Sequence, residues 1–171
     1  DSGKPFFAFI CFGSPHKPHK ALDKDKALYA DMSPDFQNYF GEITAMDRSM
    51  GTLRAGLKER DIDQNTIIWY MSDNGSYKPM DRITGLRGHK GEVWEGGIRV
   101  PGLIVWPANI TKPFHTEFPA STSDIMPTIM SDVLGISDLP GEIEGIPLSQ
   151  PLPEMRAMSE AVMHKHGMRL F

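Results

Sequence analysis

The sequence predicts an α/β fold, a parallel or mixed sheet flanked by helices, and three observations carry that expectation. Phe6–Phe12 and Thr66–Met71 are short continuous apolar runs, the pattern of strands buried on both faces. Between them lies a long stretch whose apolar residues recur at helical spacing. A third apolar run, Gly102-Leu103-Ile104-Val105-Trp106-Pro107, ends at a proline that stops a ladder. Strand, helix and strand make a βαβ crossover, which favours a right-handed connection and a parallel sheet. Both strands then deliver their terminal loops to one edge.

The first run empties into Gly13-Ser14-Pro15-His16-Lys17-Pro18-His19-Lys20, a loop whose prolines forbid further pairing. His16 follows the strand end closely and is the better placed of the two histidines to face a site. Residues 21 to 32 are polar and read as a loop with a short helical piece. Ser33-Pro34-Asp35 then starts a helix: a capping residue, a proline suited to the first turn, and an acid suited to the positive helix end. Phe36, Phe40, Ile43, Met50 and Leu57 form its apolar face, widened by Tyr39, Met46 and Leu53. Asp47 lies within that stripe and is read as a hydrogen-bonded structural carboxylate. The helix runs out between Arg60 and Asp63.

The second strand stops at Ser72-Asp73-Asn74-Gly75. This triplet of acid, amide and glycine either turns the chain or sets two hard oxygen donors where an open α/β sheet binds its ligands. Ser76 to Thr84 is irregular. The stretch from Gly85 to Pro101 is dense in glycine, which permits close approach of backbone to a ligand, but it lacks the spacing of a phosphate-binding loop. Lys90, between Gly88 and Gly91, is suited to lie against an anion, and Arg99 is expected to pair with Glu95 or another carboxylate. Ser121 to Leu134 reads as a capped helix closed by Gly135, with Pro127 in its first turn. Residues 137 to 153 read as a surface crossing, and Ser159 to Met163 as the start of another strand. His164-Lys165-His166 reads as an exposed polar tip rather than a transition-metal site.

With 171 residues, the chain is one domain or a large part of one. Hydrophobic content of 40% and charged content of 23% fit an ordinary globular protein. A net charge of −4 argues against a nucleic-acid partner. No apolar run approaches the roughly 18 residues of a membrane span. Cys11 is the only cysteine, so no internal disulfide can form. Asp1-Ser2-Gly3-Lys4-Pro5 has neither the basic nor the apolar region of a signal peptide. The chain stops at Met168-Arg169-Leu170-Phe171 without a polar tail, and both ends read as cut from a longer polypeptide.

In order and spacing, these stretches resemble the C-terminal part of the catalytic domain of the sulfatase family, within the alkaline-phosphatase-like superfamily. The resemblance rests on Pro5-Phe6-Phe7, Pro15-His16-Lys17-Pro18, Ser72-Asp73-Asn74-Gly75, Gly88-His89-Lys90-Gly91, Glu95-Gly96-Gly97-Ile98-Arg99-Val100-Pro101, Trp106-Pro107 and Ser123-Asp124-Ile125-Met126-Pro127-Thr128. It implies an α/β/α domain that hydrolyses sulfate monoesters of small molecules or glycans, in an exported (periplasmic, secreted or lysosomal) protein. It implies that Asp73 and Asn74 ligate a divalent cation, usually Ca²⁺ with Mg²⁺ as the alternative; their hard oxygens suit either. By the same resemblance Lys90 contacts the sulfate and His16 helps to bind it.

The family's nucleophile is a formylglycine hydrate made from a Cys/Ser-x-Pro/Ala-x-Arg motif. Cys11 is followed by Phe12-Gly13-Ser14-Pro15, which is not that motif. The family's N-terminal metal-binding aspartates also have no counterpart. The expectation is therefore a partial catalytic domain over residues 1–171, partnered by the N-terminal part that carries the nucleophile, and inactive alone. His89 stands where the family usually has glycine or another small residue. Two other readings stay open: a phosphoester or phosphonate hydrolase of the same superfamily, and a non-catalytic binding module that keeps the fold.

Overall fold

The computed structural model describes residues 3–77, 84–116 and 119–149. They fall into two compact units, one ending at Thr111 and one beginning at Lys112. In the first, α1 (Asp23–Lys26) continues into a 3₁₀ turn at Ala27–Tyr29 and is followed by the 26-residue α2 (Pro34–Glu59). The sequence-based boundaries of α2 hold. Pro34 occupies the first turn, Asp35 faces the positive end, and Arg60 leaves the helical range. Ser33 has the extended backbone of a cap, but its side chain makes no capping hydrogen bond. Asp61, at φ 54°, then turns the chain.

The chain entering α1 is laced onto α2 by polar bonds. Lys20 N donates to Glu42 Oε1 at 2.7 Å and Ala21 N to Asn38 Oδ1 at 3.1 Å. Asp25 is buried and pairs with Arg48, and Tyr29 bonds Thr44 at 2.8 Å. Gly41 allows this approach, since a Cβ there would stand 2.6 Å from that of Ala21. Asp47 departs from expectation: it is exposed, and among the described residues nothing hydrogen-bonds its carboxylate.

β1 (Ile68–Met71) pairs antiparallel with β2 (Gly102–Val105), Ile68 opposite Val105 and Met71 opposite Gly102. The Tyr70 hydroxyl reaches Met46 Sδ of α2 at 3.8 Å, so the helix lies against this pair as expected. The expected buried strand at Phe6–Phe12 is not realised. Among the described residues that run joins no ladder, and Phe6, Phe7 and Phe9 are 64%, 76% and 82% exposed. A run apolar on both faces is buried only when strands flank it and layers cover it. The described residues supply neither, so the parallel crossover drawn from the sequence is absent among them.

In the second unit a continuous helical run extends from Thr122 to Val133, with α4 (Ile125–Thr128) between a 3₁₀ and a π turn. Ser121 and Asp124 form a reciprocal capping box, and Gly135 closes the helix at φ +68°, as the sequence predicted. Buried Asp124 accepts from Ser121 N at 2.7 Å and from Ile146 N at 3.0 Å, and Leu148 N donates to Thr128 Oγ1 at 3.0 Å. Thus the irregular crossing after residue 137 is held by helix side chains. The readings at Ser159–Met163 and at His164 and His166 lie outside the described residues.

Candidate active site

The antiparallel register decides what stands near Asp73 and Asn74. Because Met71 faces Gly102, the chain leaving β1 must run beside the chain entering β2. Beyond the ladder Gly75 N donates to Gly97 O at 2.9 Å, and Lys90 N donates to Ser76 O at 2.7 Å. Glycine permits this contact. A Cβ on Gly75 would lie 1.9 Å from Gly96 O, and one on Gly96 would lie 2.0 Å from Gly88 O. The glycine density read from the sequence is thus explained here by backbone meeting backbone. Glu95–Ile98 forms a single helical turn, α3, tied by the expected pair of Arg99 and Glu95 at 3.8 Å.

Asp73 is exposed and Asn74 half-buried at the end of β1. Ser72 Oγ donates to the Asn74 carbonyl at 2.8 Å, while neither the Asp73 carboxylate nor the Asn74 carboxamide has a partner among the described residues. Lys90 is exposed, and its ammonium likewise has no acceptor among them. It rides on a four-residue turn closed by Glu92 N to His89 O at 3.0 Å, with Gly91 at φ +90°. Two of the predicted groups, the donor pair and the lysine, therefore share one edge.

The His16 loop reaches the same segment through its neighbours. His19 Nε2 donates to Pro15 O at 3.0 Å, and its Nδ1 accepts from the Tyr77 hydroxyl at 3.2 Å. The His19 ring also packs against Tyr39 and Tyr77, with centroids 5.2 and 5.0 Å away. Lys17 Nζ stands 4.3 Å over the Tyr77 ring. His16 itself is exposed, and its Nδ1 donates to Lys17 O at 2.9 Å. Sequence reasoning missed His19 and Tyr77 as the anchor of this loop; an aromatic just past Ser72-Asp73-Asn74-Gly75 was the available signal. Burial raises the Tyr39 and Tyr77 phenols above their ordinary 10.0, helped by their mutual charge for Tyr39 and by Asp35 for Tyr77. They stay protonated at neutral pH, as the donation to His19 requires.

Asp73 and Asn74 fit a hard divalent cation as two of its oxygen ligands. No cluster of three or more His, Cys, Asp or Glu residues exists among the described residues. Ca²⁺ takes about six to eight oxygen ligands, so such a cation would need donors beyond Asp73 and Asn74. Cys11 is exposed and lies outside any formylglycine motif, so it does not fit the family's nucleophile.

A family-level sequence profile described as Sulfatase matches residues 1–136. The chain belongs to the sulfatase family. Its relatives include an endo-4-O-sulfatase of Bacteroides thetaiotaomicron, 28% identical, aligned over 85% of this chain and 32% of the relative. An ulvan-active sulfatase of Formosa agariphila is 30% identical over 93% of this chain and 34% of its own. Among solved structures, one from work on glycosaminoglycan metabolism by Bacteroides thetaiotaomicron superposes with a TM-score of 0.74 at 26% identity, covering 87% of this chain and 34% of that one. The crystal structure of Ps i-CgsB in complex with k-i-k-neocarrahexaose gives 0.65 at 32% identity, over 78% of this chain and 30% of that one. These sulfatase likenesses support the alkaline-phosphatase-like α/β class, and the chain spans about a third of the length of the relatives it matches. No described helix is long and apolar enough to cross a membrane.

Proposed function

We propose that the protein containing this chain hydrolyses sulfate monoesters, and that Asp73, Asn74, Lys90 and His16 are this chain's share of the active site. The observation that carries the reading is the bond from Lys90 N to Ser76 O. It sets the lysine turn against the segment two residues past Asn74. Lys90 is a flexible point charge suited to neutralise a sulfate oxygen as the S–O bond of the ester breaks. His16 spends Nδ1 on Lys17 O, so its Nε2 donates to a sulfate oxygen only when the ring carries both protons. Asp73 and Asn74 would hold the cation with their side-chain oxygens. When bound, that cation supplies positive charge for the sulfate oxygens and the attacking group.

Both compact units belong, in this proposal, to one catalytic domain, which the family match across residue 111 supports. The nucleophile comes from polypeptide outside residues 1–171, and this chain alone turns over no aryl sulfate. The substrate class is a sulfated glycan, by likeness to the ulvan-active relative.

The test is sulfate release from an aryl sulfate by the full-length polypeptide, wild type against Lys90→Ala. Loss of two or more orders of magnitude in kcat/KM with an unchanged circular dichroism spectrum is expected. Unchanged kinetics would remove Lys90 from the site, and phosphate release from an aryl phosphate at a higher rate would move the protein to the phosphoester branch.

A further inference from the structure

We infer that Glu92 is a positioning residue for Lys90, a role that rests on the sulfatase reading above. One oxygen of Glu92 collects two hydrogen bonds from the residue that opens the lysine turn. Oε2 accepts from His89 N at 3.2 Å and from His89 Nδ1 at 2.9 Å. The backbone closes the same four residues in the opposite sense, Glu92 N donating to His89 O at 3.0 Å. Lys90 and Gly91 are the two central residues of this loop-within-a-loop, and Gly91 takes the left-handed φ of +90° that the turn needs. The turn is then docked by Lys90 N on Ser76 O.

The clamp is local to the turn. The side chains of His89 and Glu92 are 28% and 44% exposed, so as an ion pair they add little to global stability. Their effect falls instead on where Lys90 Cα stands and which way its side chain leaves the backbone. His89 acquires a role by the same geometry. Glycine at this position would give Glu92 only a backbone N–H. The imidazole adds a second donor to the same oxygen. An error of about 1 Å in a charge facing the reacting group is enough to cost up to about 100-fold in rate.

The experiment is a double-mutant cycle in the full-length polypeptide, reading kcat/KM for an aryl sulfate and the unfolding midpoint. Glu92→Ala should lose about 10- to 100-fold in kcat/KM with the midpoint nearly unmoved. Glu92→Gln, which keeps an acceptor oxygen and drops the charge, should restore activity to within about threefold of wild type. In a Lys90→Ala background, Glu92→Ala should cost nothing further, because the group it positions is gone. A Glu92→Ala loss that repeats in full on the Lys90→Ala background would overturn the positioning role, as would Glu92→Ala activity within twofold of wild type. Gln behaving like Ala would assign the effect to charge and also overturn it. If Lys90→Ala alone is as active as wild type, the sulfatase assignment of Lys90 fails first.

Discussion

Gly75→Ala tests whether backbone contact between the β1 end and the glycine-rich segment organises this edge. The new Cβ would stand 1.9 Å from Gly96 O, 2.8 Å from Gly96 C and 2.9 Å from Gly97 Cα. These neighbours are backbone, which no rotamer change can move. Ordinary contact begins at 3.4 Å, so the two segments must part by about 1.5 Å. Parting breaks Gly75 N to Gly97 O and strains Lys90 N to Ser76 O. At about 1 kcal/mol for each hydrogen bond, and 1–3 kcal/mol for overpacking that is only partly relieved, the variant should lose about 3 kcal/mol. Urea unfolding followed by tryptophan fluorescence measures this, since Trp69 lies in β1. Gly102→Ala is the control. A Cβ there meets nothing within 4 Å, and the change should stay within about 0.5 kcal/mol. In the full-length polypeptide Gly75→Ala should also lose about 100-fold in kcat/KM, through the displaced lysine turn. A stability change under about 0.5 kcal/mol for Gly75→Ala would refute the close backbone approach.

Asp124→Ala removes a buried carboxylate that caps a helix and holds Ile146 N, and should cost about 2–4 kcal/mol in chemical denaturation. Asp132→Ala, which loses a more exposed bond to Ser149 Oγ, should cost about 1 kcal/mol or less. The Tyr39, Tyr70 and Tyr77 phenols are raised by burial first, with nearby negative charge second, Asp47 supplying it for Tyr70. A folded value above the unfolded value near 10.0 means the fold favours the neutral phenol. That stability is fully present below about pH 10 and is lost as pH rises through the higher folded values. Absorbance titration of tyrosinate should show these residues ionising late in the native protein and normally in urea; identical curves would contradict the assignment.

Local signals were legible where one residue type has one physical use. Ser33-Pro34-Asp35 located the start of α2, Ser121 and Gly135 bracketed the second helical run, and the pairing of Arg99 with Glu95 followed from their spacing. The Phe6–Phe12 run misled because apolarity on both faces reports the surroundings a strand needs, and the described residues do not provide them. The meeting of Asp73 and Asn74 with Lys90 illustrates a different failure. From the sequence, a parallel crossover is expected to bring His16 beside Asp73 and Asn74; the described residues contain no such crossover, and antiparallel pairing of β1 with β2 instead leads the chain past Asn74 along the Lys90 turn. Tyr77 left a signal as an aromatic just past Gly75, but its partner His19, and the clamp of Glu92 on His89, are fixed by loop geometry that no periodicity encodes.

The central claim, that Asp73 and Asn74 are part of a cation corner serving the site of Lys90, is tested most directly by calcium activation of the full-length polypeptide. After chelation, aryl sulfate turnover should vanish and return as Ca²⁺ is titrated back. Asp73→Ala should shift the half-activating concentration upward by about 100-fold or abolish activation, while Asp132→Ala leaves the curve in place. An Asp73→Ala curve superimposable on wild type would contradict the account.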